Sequence, residues 1–324
     1  MKLGSIAGAT PDGQLVVVSK DGKFALAVPD ICQTLQLAIE SWNTISPKLQ
    51  IVYQNLSGQT PFAFAVDESK FLSPLPRAYQ WLDGSAFLQH VKLVRKARGA
   101  VIPPRLFEVP LMYQGVSDKF LSPYENIPFI DPAHGMDFEG EVAVIVSKVP
   151  MGTQEKDAFS HIKLIMLVND VSLRGLIPDE LEMGFGFLQS KPPSAHSPFA
   201  ITPDELGPAW KDGRVHLPLK SEYNNKWVGN PNAGEMHFSF GKLIEHAAKT
   251  RELQSGTIIG SGTVSNEDQN CGQSCLAELR MLEKINTGEF KTPFMKPGDT
   301  IKISMKNLDG ENLFGNIFQK VTKD

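Results

Sequence analysis

Between Asp137 and Val146 the chain reads DFEGEVAVIV, with acids at alternate positions leading into an apolar run. Strand side chains alternate between faces, so Asp137, Glu139 and Glu141 share one face with Ala143 and Ile145. The other face carries Phe138, Gly140, Val142, Val144 and Val146. A strand apolar on both faces is usually buried. Neighbouring acids on one face stand ~6.5 Å apart, and two such charges repel by ~2–3 kcal/mol at an effective dielectric of about 20. A divalent cation offsets that repulsion most simply. Two more acids can complete such a site: Asp170, which ends the apolar run LIMLVND, and Asp83 in QWLDGSAFLQH, just before a helix carrying His90. A donor set made of carboxylate oxygens suits Mg²⁺ or Ca²⁺ rather than Zn²⁺, and no HExxH motif competes. Glu-x-Glu is also a common pattern on a solvated sheet edge, so both readings stand at this level.

The other candidates each have a plain reading beside the chemical one. His90 after an Asp-Gly turn can be a hydrogen-bonded, inert residue, and an isolated histidine usually is. Glu278 in CLAELR, Lys191 in QSKPP and Thr263 in GSGT are equally ordinary alone. Gly184-Phe185-Gly186 follows no strand and reads as a loop. Cys32, Cys271 and Cys275 are an odd set in a long chain, which argues for packed, reduced thiols over a disulfide framework.

Positioning these residues needs a β-rich scaffold. Apolar runs at Gln14–Ser19 and Phe24–Val28 flank Lys20-Asp21-Gly22-Lys23, a hairpin signal. A helical stretch with Leu35, Leu37, Ile39 and Trp42 follows, closed by Ser46-Pro47. The LSPLPR segment, Leu72 to Arg77, is a Pro-bearing joint, predicting a small β-rich N-terminal domain over 1–71 and a larger domain over 72–324 that carries the candidate site. Beyond it the spacing predicts helices over 86–98 and 240–248 and strands at 111–116, 141–146, 162–168, 215–219, 257–260 and 300–305. Strands and helices do not alternate regularly and no GxGxxG follows a strand, which excludes a Rossmann reading.

The 324 residues carry 32 Lys+Arg against 36 Asp+Glu, a net charge of −4 that offers no basic face to nucleic acid. Apolar runs are strand-sized, so no membrane segment is expected. No apolar signal region precedes the first turns, so a cytoplasmic protein is expected and the Asn55-Leu56-Ser57 sequon should be silent.

Taken in order, Asp83-x6-His90, Glu139-x-Glu141, Asn169-Asp170-Val171-Ser172, Ser190-Lys191, Gly260-Ser261-Gly262-Thr263 and Glu278 resemble the fumarylacetoacetate hydrolase family from about Leu72 onward. The first 71 residues are similar to the smaller N-terminal domain of its longer members. The resemblance implies a mixed β-sandwich roll, mainly β with few helices (α+β), acting as a homodimer. It implies Asp83, Glu139, Glu141 and Asp170 as ligands of Mg²⁺ or Ca²⁺. His90 becomes the base that activates water, Glu278 (expected in an apolar strand) its orienting acid, and Lys191 the cation facing an oxyanion. Arg98, Tyr113 and Thr263 become substrate contacts.

The activity implied is hydrolysis of a carbon–carbon bond in a β-diketo acid such as fumarylacetoacetate, in tyrosine and phenylalanine breakdown. The alternatives within the family are lyases, decarboxylases or hydratases of 2-oxo acids and hydroxydienoates. A catalytically inactive metal-binding relative is a further alternative. Many of those enzymes carry a glutamate three residues after the base, where this chain has Leu93. Ile177 and Leu181 stand near the positions where fumarylacetoacetases place Gln and Tyr, so either the carboxylate end of the substrate is expected to be held differently or the substrate itself differs.

Overall fold

The computed structural model describes residues 1–97 and 104–323. Its centre is the strand Gly140–Val146, buried at every residue. Val142, Val144 and Val146 pack into one hydrophobic cluster, while Ala143 and Ile145 pack into a second. The neighbouring strand Ile162–Asn169 divides in the same way, with Ile165 and Leu167 on one side and Leu164, Met166 and Val168 on the other. Both faces are therefore core, as two-sided apolar strands require.

These strands belong to an 11-stranded mixed sheet. Gly140–Val146 pairs antiparallel with Ile162–Asn169 and with Ile258–Gly260, which runs parallel to Trp81–Gly84. The edge strand Met112–Gly115 sets Tyr113 opposite Asp83. One face of the sheet is covered by a five-stranded sheet whose Leu219, Ile301, Ile303 and Val321 join the larger core. The other face is covered by the helices Leu35–Glu40 and Trp42–Asn55 through Leu35, Ile39 and Leu49. The result is mainly β with few helices.

The hairpin forms where its turn residues predict it. Gln14–Val18 and Phe24–Ala27 pair antiparallel, Gly22 takes φ 73°, and Asp21 Oδ1 accepts from Ser19 Oγ and Lys23 N. The strands of 1–71 are continuous with the large sheet, because Lys2 and Leu3 pair with Ile201 and Ala200. The expected helix stop at Ser46-Pro47 does not occur: Trp42–Asn55 runs through Pro47. A mid-helix proline removes one hydrogen bond, and here buried Leu49 and Tyr53 anchor the following turns, with Tyr53 Oη 2.6 Å from Glu205 Oε2. The expected strand around Glu278 is instead the helix Leu276–Thr287, capped by Cys275 Sγ on Glu278 N and ended by Gly288 at φ 82°. No helix is long and apolar enough to cross a membrane among the described residues.

Candidate metal centre and active site

Asp83, Glu141 and Asp170 meet at the ends of three strands, each offering a carboxylate oxygen within 4.8 Å of the others. Register explains the meeting. Asp83 and Ala143 both pair with Gly260, and Glu141 pairs with Val168, two residues before Asp170. Glycine is needed between them: a Cβ on Gly260 would stand 2.4 Å from Asp83 Oδ1. Gly262 holds φ 74° and donates its N–H to Asp83 Oδ1 at 3.0 Å, and a Cβ there would meet Gly84 O at 2.3 Å.

The donor chemistry fits a cation. Glu141 is buried and neither carboxylate oxygen has a hydrogen-bond partner. An unpartnered buried carboxylate is costly. Burial, with Asp83 and Asp170 close by, pushes the Glu141 carboxyl well above its ordinary range. Burial and Asp170 push Asp83 up to about 8. Acids this unhappy as a bare cluster are what a divalent cation would relieve.

Glu139 is held differently from the other three. The strand breaks at Phe138 and Glu139, between the strands Met136–Asp137 and Gly140–Val146. Glu139 Oε2 lies 2.6 Å from Lys191 Nζ, and Oε1 lies 2.6 Å from Arg174 Nη2. Burial raises the Glu139 carboxyl, but Arg174 and Lys191 outweigh it and hold the group below the usual carboxylate range. Lys191 Nζ also donates to Asp170 Oδ2 at 2.6 Å and Ser172 Oγ at 2.8 Å. An ammonium has three donors, and all three are engaged. Asp170 further accepts from Tyr113 Oη at 2.7 Å and Ser194 Oγ at 2.5 Å.

Asp137 faces away from the cluster. It accepts the amides of Leu276 and Ala277 at 2.8 and 2.9 Å and pairs with Arg174 at 3.0 Å. It thereby fixes the first turn of the helix that carries Glu278, and a carboxylate is favourable at a helix N-terminus. Glu278 Oε1 in turn lies 2.6 Å from His90 Nδ1. His90, Glu139, Arg174, Lys191, Thr263, Tyr113 and Asp83 line one cavity of about 440 Å³, whose remaining wall is largely apolar.

The chain matches the family described as fumarylacetoacetate (FAA) hydrolase C-terminal over residues 80–321, and fumarylacetoacetase N-terminal domain 2 over residues 1–77. It belongs to the fumarylacetoacetate hydrolase family.

Among curated relatives, the oxaloacetate tautomerase YisK of Bacillus subtilis is 24% identical over 249 residues, 75% of this chain and 72% of that protein. The fumarylacetoacetase of Oryza sativa is 25% identical over 250 residues, 63% of this chain and 58% of that one. A solved maleylpyruvate hydrolase from Sphingobium sp. SYK-6, in complex with manganese(II) and pyruvate, superposes with a TM-score of 0.65 at 14% identity, covering 100% of this chain and 99% of that one.

Within this family member, nine of the ten residues singled out from the sequence fall among the described residues. Six of these line the cavity, Glu141 and Asp170 complete the acid cluster, and Glu278 stands behind His90. Arg98 lies outside the described residues. Arg174, Ser194 and Phe187 carry weight that the sequence reading missed. The one available signal was Arg174 itself, the sole cation in the segment NDVSLRG just after Asp170.

Proposed function

We propose that this chain is a divalent-metal-dependent hydrolase that cleaves a carbon–carbon bond of a β-diketo acid. The observation that carries the reading is the His90–Glu278 pair, 2.6 Å apart, opening on the same cavity as Asp83 beside the acid cluster. An ionised carboxylate only accepts, so Glu278 fixes the proton on Nδ1 and leaves Nε2 as the basic nitrogen.

Each step then falls to a named group. His90 Nε2 takes a proton from water as its oxygen bonds to one carbonyl carbon, and Glu278 stabilises the imidazolium. The tetrahedral oxyanion faces Lys191, which turns one N–H toward it when a carboxylate partner is drawn off. The carbon–carbon bond breaks with its electron pair on the departing carbon as an enolate. That carbon is protonated from His90, giving an acid and a ketone. Thr263 and Tyr113 line the cavity as substrate contacts. Asp83, Glu141 and Asp170, with Glu139 as a fourth donor, would hold a divalent cation, which would supply Lewis-acid polarisation of the substrate's oxygens. The all-oxygen donor set favours Mg²⁺ or Ca²⁺, and manganese in the maleylpyruvate hydrolase supports a hard divalent ion.

The first test follows loss of fumarylacetoacetate's diketone absorbance with Mg²⁺, Ca²⁺ or excess EDTA. Metal-dependent loss supports the hydrolase. The likeness to an oxaloacetate tautomerase favours a second reading, proton transfer or decarboxylation on a 2-oxo acid. Oxaloacetate turned over with every diketone left intact would select it.

A further inference from the structure

We infer that the substrate's tail, the end remote from the metal-binding oxygens, is uncharged and apolar: an alkyl or aryl acyl group rather than a second carboxylate. This rests on the hydrolase reading for its chemistry, but the pocket argues it independently.

The wall of the cavity away from the acid cluster is built from Phe87, Leu111, Met112, Ile177, Leu181 and Phe187. Leu111 and Leu181 are each 50% exposed, which leaves apolar surface for a ligand to cover. Phe187 is held with φ at 66°, a backbone region that a bulky side chain rarely adopts. The Glu180 carboxylate secures it there, accepting the Phe187 amide at 2.9 Å. Its ring lies 5.1 Å from that of Tyr113. Strain kept at a cavity wall in order to present an aromatic ring marks a contact surface, not a chance exposure.

Charge points the same way. Asp83, Glu139, Glu141 and Asp170 bring four carboxylates to the site, and Arg174 and Lys191 bring two cations. A divalent cation on those carboxylates would complete the balance and leave no positive excess. Arg174 already pairs with Asp137 and Glu139, and Lys191 with Glu139 and Asp170. Among the described residues no lining cation is left over to receive a tail carboxylate.

The test compares 2,4-dioxo acids that share one pyruvoyl head: acetylpyruvate, hexanoylpyruvate, benzoylpyruvate and fumarylpyruvate, with Mg²⁺ present. kcat/KM should rise by about fourfold per methylene from acetyl to hexanoyl, the rate equivalent of burying one CH₂, and fumarylpyruvate should be the poorest. Leu181→Lys, a half-exposed site that leaves the core untouched, should shift the hexanoyl-to-fumaryl ratio by tenfold or more toward fumaryl. Affinities of the same compounds for Mg²⁺-loaded His90→Asn, by calorimetry, read the tail without turnover.

Fumarylpyruvate processed or bound as well as hexanoylpyruvate overturns the inference, and loss of that preference in Arg98→Ala would identify the group responsible. If nothing is hydrolysed but hexanoylpyruvate still binds more tightly, the hydrolase reading fails and the apolar subsite stands. Equal or absent binding across the series removes the subsite.

Discussion

His90 Nδ1 stands 2.6 Å from Glu278 Oε1 although 188 residues separate them in the chain. Asp137 maintains that distance by binding the Leu276 and Ala277 amides at the start of the Glu278 helix. Replacing Glu278 with Gln keeps the shape but replaces an acceptor-only carboxylate with an amide that also donates, so the tautomer is no longer enforced. We expect kcat to fall on the order of 10²–10⁴-fold, the range for a general base and its orienter, with KM and Tm nearly unchanged. Steady-state kinetics beside a thermal melt checks this. A variant with full kcat would remove Glu278 from the orienting role.

Glu141 couples stability to metal. Both its oxygens are buried without partners beside Asp83 and Asp170, so in metal-free protein it adds repulsion and uncompensated desolvation. Glu141→Gln should raise the metal-free Tm, by about 1–3 kcal/mol of stability, while abolishing the upward Tm shift that Mg²⁺ gives the parent. Differential scanning calorimetry with and without EDTA reads both effects. A lower metal-free Tm in the variant would mean that Glu141 has a stabilising partner in solution.

The acids, the base and the strands that carry them were legible because residue type and a period of two are written locally. Gly140–Val146 shows both apolar faces in seven consecutive residues. What stayed hidden depends on partners distant in sequence or on atypical caps. Arg174 is a lone cation until folding brings Asp137 and Glu139 to it. The Leu276–Thr287 helix begins on Cys275, which is not among the usual N-cap types, so its start carried no signal. Pro47 reads as a stop until the burial of Leu49 and Tyr53 is known.

Lys191 joins two carboxylates that otherwise repel, with its Nζ 2.6 Å from both Glu139 and Asp170. Lys191→Ala leaves two buried charges without their cation. Breaking a buried pair in this way costs ~3–5 kcal/mol, so the metal-free variant should unfold at a lower urea midpoint. Mg²⁺ should recover part of that loss, since a divalent ion can compensate the same carboxylates. Activity should stay low even at saturating Mg²⁺, because the oxyanion has lost its cation. Urea titrations with and without Mg²⁺ separate these roles, and equal midpoints for parent and variant without metal would show that the bridge contributes no stability.

Glu180 organises the segment leading into Lys191. Its carboxylate accepts the amides of Phe187, Leu188 and Gln189 at 2.9, 3.0 and 2.7 Å, and the Ser190 hydroxyl as well. Partial burial pushes the Glu180 carboxyl up, but the Ser190 hydroxyl and the amides outweigh it and hold the group below its ordinary value. A carboxylate whose folded pKa is depressed contributes stability that is fully present above its unfolded pKa, roughly 4.3, and lost as pH falls through the folded value. Hydrogen-exchange protection at Phe187, Leu188 and Gln189 should therefore persist at neutral pH and collapse in acid, before the core strands open. Glu180→Gln should lower that protection already at neutral pH and flatten its pH dependence. Its KM for a long-tailed substrate should rise more than its kcat falls, since Phe187 leaves the wall while His90 and Glu278 stay in place. Protection in the variant matching the parent at every pH would mean that the loop holds its shape without the carboxylate.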